Sequence, residues 1–101
     1  MTDPLPRRVG LIGHGAIGSV VASRLVARDV PSAELVGICA RRRLVEPPVL
    51  QVGADELIAM SDVVVEAAGH QAVRDHAVHI LEAGVDLVLV SLGALGDTDL
   101  A

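Results

Sequence analysis

The chain has 101 residues, 51% hydrophobic and 21% charged, enough for one globular domain and too apolar for a disordered chain. It contains no Phe, Trp or Tyr, so its core must come from Val, Leu, Ile and Ala, and the aromatic platforms on which nucleic-acid modules stack bases are excluded. The formal net charge is −5, which argues against general nucleic-acid affinity.

All eight basic residues are Arg. Without lysine there is no lysine Schiff base and no P-loop lysine. The charges divide unevenly: residues 1–43 hold seven Arg against Asp3, Asp29 and Glu34, and residues 44–101 hold Arg74 against ten acids. Cys39 is the only cysteine, which excludes an intrachain disulfide and a cysteine-built zinc site. The start, Met1-Thr2-Asp3-Pro4, does not read as a signal peptide, and no apolar stretch approaches the ~20 residues of a membrane span. A cytoplasmic location is the expectation.

In chain order, residues 1–7 read as a short tail punctuated by Pro4 and Pro6. Val9-Gly10-Leu11-Ile12 reads as a strand buried on both faces. The cluster Gly13-His14-Gly15-Ala16-Ile17-Gly18 follows. The spacing then predicts a helix over about 16–28, with Val21, Leu25 and the stem of Arg28 near one stripe. Residues 34–39 read as a second strand, which completes a βαβ unit with parallel strands and a right-handed crossover. Pro47-Pro48 forbids a continuous helix over 40–60. Val49 to Val52 is assigned a short strand and Asp55 to Met60 a helical turn or more.

Val63-Val64-Val65 reads as a buried strand that ends in the small-residue turn Ala67-Ala68-Gly69-His70. A helix over about 71–83 places Val73, Ala77, Ile80 and Leu81 on one face and Arg74, Asp75, His79 and Glu82 toward solvent. Gly84 suits the left-handed position after it. Asp86 to Ser91 is the last strand. Strands alternating with helices imply an α/β domain with an open parallel sheet. Such sheets bind ligands beyond the carboxyl ends of their strands, where strand order reverses. Those ends carry 13–18, 40–43, 67–70 and 91–96.

A G-x-G-x-x-G pattern gains specificity when it follows a strand and opens a helix within a βαβ unit, as here. Gly13 permits the tight turn, Gly15 lets the backbone approach a pyrophosphate, and Gly18 lets helix and strand pack closely. The helix start adds free N–H groups and a partial charge of about +0.5. The reading is dinucleotide binding, and the competing reading is a turn needed only for packing. His14 within the loop reads as an exposed position rather than a cofactor contact.

A site for NAD commonly carries an acid about 20 residues past the glycines, whereas an Arg accommodates the 2′-phosphate of NADP. Here the strand ends Cys39-Ala40-Arg41-Arg42-Arg43. Arg41 or Arg42 therefore favours NADP, against the alternative of a solvated arginine run. Cys39 reads as a small apolar residue rather than a nucleophile. His70, His76 and His79 lack the further ligands of a metal site. Glu66 is open between a buried acid with a shifted pKa and an acceptor for nearby backbone N–H groups.

Three segments carry a family resemblance: Gly10-Leu11-Ile12-Gly13-His14-Gly15-Ala16-Ile17-Gly18, Val65-Glu66-Ala67-Ala68-Gly69-His70-Gln71-Ala72-Val73, and Leu81-Glu82-Ala83-Gly84-Val85-Asp86-Leu87 running into Val90-Ser91-Leu92-Gly93-Ala94-Leu95. The first is shared by many dehydrogenases; the other two together are more specific. The chain resembles the amino-terminal cofactor domain of the L-aspartate dehydrogenases, a family related to homoserine dehydrogenase in that domain. The resemblance implies a Rossmann-type sheet with helices on both faces, spanning 8–101 and truncated before a second domain. It implies NAD(P)-dependent oxidative deamination of L-aspartate to iminoaspartate, which feeds NAD biosynthesis or hydrolyses to oxaloacetate.

By resemblance, Gly13, Gly15 and Gly18 are the phosphate-binding glycines, and His14, Ala16 and Ile17 between them complete the candidate cofactor loop. Ala67, Ala68 and Gly69 border the middle of the cofactor, Ser91 and Gly93 its nicotinamide side, and Arg41, with Arg42 beside it, fits members that accept NADP. The family's catalytic histidine, second glycine-rich segment and substrate domain are expected beyond residue 101. No catalytic residue is assigned within the chain, and none of its histidines takes that role. Asp97-Thr98-Asp99-Leu100-Ala101 reads as the start of a helix, so an incomplete domain is expected, one that binds dinucleotide weakly, does not turn over aspartate alone and associates through exposed apolar surface. The alternatives are the cofactor domain of another dehydrogenase, a non-catalytic nucleotide-sensing module and a degraded gene product.

Overall fold

Four parallel strands lie in the order β2-β1-β3-β4. The computed structural model describes residues 5–90, without the side chains of residues 70–73. In chain order the elements are β1 (Arg7–Ile12), α1 (Ala16–Val26), β2 (Ala33–Cys39), α2 (Ala54–Met60), β3 (Val63–Glu66), α3 (His70–Glu82) and β4 (Asp86–Leu89). Parallel neighbours need long crossovers, and α1 and α3 supply two of them. The chain leaves β1 in one direction to form β2, then returns past β1 to form β3 on its other side. Strand order therefore reverses between β1 and β3, the arrangement of a Rossmann-type sheet.

Each face of the sheet buries its own apolar set. Val9 and Leu11 of β1 pack with Leu35 and Ile38 of β2 and with Ala22 and Leu25 of α1. Ile12 and Val64 pack on the opposite face with Leu57 and Ile58 of α2, Ile80 of α3 and Val85. Residues 9–12 are all buried, as the continuous apolar run predicts for a strand covered on both sides. Among the described residues no helix is long and apolar enough to cross a membrane.

Two glycines decide how closely α2 sits. Gly10 of β1 and Gly37 of β2 are register partners and together leave a flat patch on the sheet. The fully buried Leu57 fills it. A Cβ on Gly10 would stand 2.8 Å from Leu57 Cγ, and one on Gly37 would stand 3.0 Å from Leu57 Cδ1. At the other end of the strands, the Arg8 N–H donates to Asp62 Oδ2 over 2.8 Å and its guanidinium reaches both carboxylate oxygens. The Asp62 N–H returns a bond to the Arg8 carbonyl. The Arg8 side chain, followed by its backbone N–H, holds the Asp62 carboxyl below the usual carboxylate range.

The helix expected to reach residue 28 ends at Val26 because Arg28 adopts a left-handed φ of 64°. The Arg28 N–H then bonds the Leu25 carbonyl and the Asp29 N–H the Arg24 carbonyl, a Schellman closure. α3 closes in the same way: Gly84 is in the left-handed region, its N–H reaches the Leu81 carbonyl, and Val85 bonds Ile80. Three expectations are corrected. Val49 to Val52 is not a strand; Gln51 makes one parallel bridge to Ile38, since the Pro47-Pro48 entry leaves too little regular backbone to extend it. Leu81 is 61% exposed: Ile80 takes the inward position at the last turn of α3, and one further residue along the helix rotates the side chain away from the sheet. β1 already begins at Arg7, inside the expected tail. Residues 91–101, Ser91 among them, and the Val73 side chain lie outside the described residues.

Gly10→Ala should overpack against the Ser61 hydroxyl and Leu57 and lower stability by about 1–3 kcal/mol, read from urea unfolding. Because Asp62 titrates below its ordinary value, the stability it contributes is fully present above about pH 3.9 and is lost as pH falls through the lowered value. Asp62→Asn should remove that acid-side decline, which unfolding curves at pH 7 and pH 3 will compare.

Candidate functional site

The turn after β1 is the centre of the rim. Gly13 takes a φ of 96°, which only glycine adopts readily, and its N–H donates to the Cys39 carbonyl of β2 over 2.8 Å. On the other side, the Ala67 N–H donates to the Ile12 carbonyl over 2.8 Å. A Cβ on Gly13 would lie 2.8 Å from both the Ala68 Cβ and its backbone N, and one on Gly18 would strike the Gly13 carbonyl. The protein's own packing therefore demands glycine at both positions.

Gly15 differs. A Cβ there would meet nothing within 4 Å, and its φ of −86° is outside the left-handed region. No intramolecular contact explains its missing side chain, whereas a ligand pressed against the backbone would. Gly15 is also the N-cap of α1, with no side-chain capping bond and no acid in the first turn. α2, by contrast, carries Asp55 and Glu56 in its first turn. The positive end of α1 is thus left for an outside anion.

A cleft of about 310 Å³ opens at this turn, lined by Gly13, His14, Gly15, Ala40, Arg41, Arg42, Leu44, Ala67 and Ala68. It lies where strand order reverses, and its volume is at the lower end of small-molecule sites. Ala16, Ile17 and Gly18 form the first turn of α1 behind the loop, and Gly69 follows Ala68. Ser91 and Gly93 lie outside the described residues. His14 is half-buried in the cleft wall, more enclosed than a freely exposed loop position. Ala40, on the expected rim, gives the cleft apolar lining together with Leu44, which the sequence reading missed; an apolar residue closing an arginine run was the available signal.

Glu66 resolves toward an acceptor. It is 1% exposed, and its Oε2 accepts the N–H groups of Ala68 and Gly69 over 2.8 and 2.7 Å. Its Oε1 is buried without a hydrogen-bond partner among the described residues. The carboxylate thereby shapes the turn that forms one wall of the cleft. Cys39 is half-buried, and burial pushes its thiol up, away from the reactive thiolate. His79 Nδ1 stands 3.5 Å from Asp55 Oδ1. Among the described residues no three His, Cys, Asp or Glu side chains converge as metal ligands.

The family model of the homoserine dehydrogenase NAD-binding domain matches residues 13–101. The chain belongs to this family. It is 41% identical over 92 residues to the L-aspartate dehydrogenase of Archaeoglobus fulgidus, covering 90% of the chain and 37% of that protein. It is 39% identical over 100 residues to L-aspartate dehydrogenase 2 of Bordetella bronchiseptica, covering 92% of the chain and 37% of the relative. The chain thus spans 37% of the length of these curated relatives. Its fold is similar to that of aspartate semialdehyde dehydrogenase II from Vibrio cholerae, with a TM-score of 0.68 at 20% identity, over 89% of this chain and 29% of that one. A nicotinamide dinucleotide is the cofactor class of this domain, and the open space at Gly15 and the uncapped start of α1 fit its pyrophosphate.

Glu66→Ala should leave the Ala68 and Gly69 N–H groups without their acceptor and cost about 1–3 kcal/mol. Glu66→Gln, which keeps one oxygen able to accept both bonds, should cost less. Urea unfolding of the two variants beside the parent chain checks the order.

Proposed function

We propose that this domain binds a nicotinamide dinucleotide with its pyrophosphate on the Gly13–Gly18 turn and its adenosine ribose beside Arg41 and Arg42. Gly15 carries this reading: it is the glycine of the motif whose missing side chain answers to no neighbour within the protein. The backbone amides from Gly15 into the first turn of α1 bind the diphosphate, and the α1 dipole favours its charge. Ala67, Ala68 and Gly69, set by Glu66, limit the far wall. The absence of an acid at the end of β2, where Arg41 and Arg42 stand at the cleft, supports NADP over NAD, because a guanidinium pairs two bonds with a phosphate and an acid would repel it.

The protein that carries this domain oxidises the amino-bearing carbon of L-aspartate. Similarity to L-aspartate dehydrogenases over 90–92% of the chain supports this activity. The bound nicotinamide supplies hydride acceptance. The residues of this chain supply binding and orientation, holding the diphosphate and the adenosine end so that the reactive ring projects toward the carboxyl end of β4. A diffusible cofactor and a single free thiol fit a cytoplasmic setting.

Fluorescence titration of the chain with NADPH and NADH tests the reading. Gly15→Ala should weaken binding of both by at least about tenfold, a 1.4 kcal/mol loss, while its thermal stability stays within about 0.5 kcal/mol of the parent. A folded chain that neither coenzyme perturbs, or a Gly15→Ala variant that binds as well as the parent, overturns it.

A further inference from the structure

We infer that Gln51 is a positioning residue for the arginine loop and that it sets the preference for a 2′-phosphorylated adenosine ribose. The inference rests on the placement of the ribose beside Arg41 and Arg42 proposed above. The loop after β2 lacks regular structure, contains Pro47 and Pro48, and holds Glu46 in a left-handed conformation. Three adjacent guanidinium groups repel one another, and such a loop has no intrinsic reason to hold them together. Gln51 provides one. Its Oε1 accepts the Leu44 N–H over 2.9 Å, and its Nε2 donates to the Arg42 carbonyl over 2.8 Å. The side-chain amide thus pairs with the loop as a strand residue would, donating and accepting at once.

Gln51 is itself held in place. The Ile38 N–H donates to the Leu50 carbonyl over 2.9 Å, and the Val52 N–H donates to the Ile38 carbonyl over 2.8 Å. The isolated bridge to β2 thereby anchors the backbone on both sides of Gln51. A rigid strand positions the glutamine, and the glutamine positions the loop. Arg41, Arg42, Leu44 and Gln51 line a cleft of about 470 Å³, and Arg41, Arg42 and Leu44 also line the dinucleotide cleft.

The chemistry of the clamp also matters. Among the described residues no carboxylate pairs with Arg41, Arg42 or Arg43. A Glu or Asp at position 51 could tie down an arginine loop by charge, but it would neutralise the field. A neutral amide holds the backbone and leaves the full positive charge for a ligand. The ligand class that uses such a site is a phosphate monoester, here the 2′-phosphate of the coenzyme.

The test compares dissociation constants for NADPH and NADH in the parent chain, in Gln51→Met, in Gln51→Glu and in the double variant Arg41→Ala/Arg42→Ala. Gln51→Met removes both bonds at similar length and should weaken NADPH binding about three- to tenfold, the worth of one to two hydrogen bonds, while NADH binding stays within about twofold. Gln51→Glu keeps the bond from Leu44, and with it the fold, but adds a negative charge; it should lower the NADPH-to-NADH preference further. Equal weakening of both coenzymes in the Gln51 variants, or no change in either, overturns the inference. If the double arginine variant shifts the preference and the Gln51 variants do not, the 2′-phosphate reading stands and the role of Gln51 falls. If the double arginine variant leaves the preference unchanged, the reading beneath it falls.

Discussion

The rim of this domain depends on how tightly the chain can fold back over the end of β1. The Gly13 carbonyl occupies the space a Cβ on Gly18 would take, and the Gly13 α-carbon lies against Ala68. That double contact joins the start of α1 to the end of β1 and the turn after β3. The bond from the Gly13 N–H to Cys39 adds the end of β2. Three strand ends and one helix start are thereby held around a single cleft. A side chain at either glycine would push them apart and strain the hydrogen bonds that now connect them.

The two faces of the sheet support this rim differently. α1 packs through Ala22 and Leu25 over β1 and β2, and its N-terminus must then point at the cleft. α2 contributes no residue to the cleft. It seals the opposite face through Leu57 and Ile58, and its own acids complement its N-terminus. Of the three helices among the described residues, α1 and α3 start at this rim with neither a capping side chain nor a first-turn acid, and only α2 carries acids at its start.

Much of this was legible in the sequence, because the signals were local. The apolar run at 9–12, the glycine spacing and the valines at 63–65 each report on a few neighbouring residues, and β1, α1 and β3 appear where those patterns put them. Eight of the nine residues that line the cleft, all but Leu44, fall in the ranges given by motif and strand-end position. What the sequence hid depends on residues far apart. Gly10 reads simply as part of a buried strand, and only its pairing with Gly37 beneath Leu57 shows its use. The apolar content of 49–52 suggested a strand, but neighbouring prolines reduced it to one bridge. Gln51 carried no signal, since nothing in its immediate neighbours shows that a side-chain amide will pair with the backbone of residues 42 and 44. Leu81 was placed inward by helical spacing that could not say how far the covering layer extends.

The paired glycines beneath α2 carry a consequence for how this domain can vary. Positions 10, 37, 57 and 61 share one small volume, so their sizes are coupled, and a change acceptable at one depends on the occupants of the others. A methyl group gained on the sheet has to be returned by a shorter side chain on the helix. Drift at these sites should proceed by exchange, with the combined bulk held constant while individual identities wander.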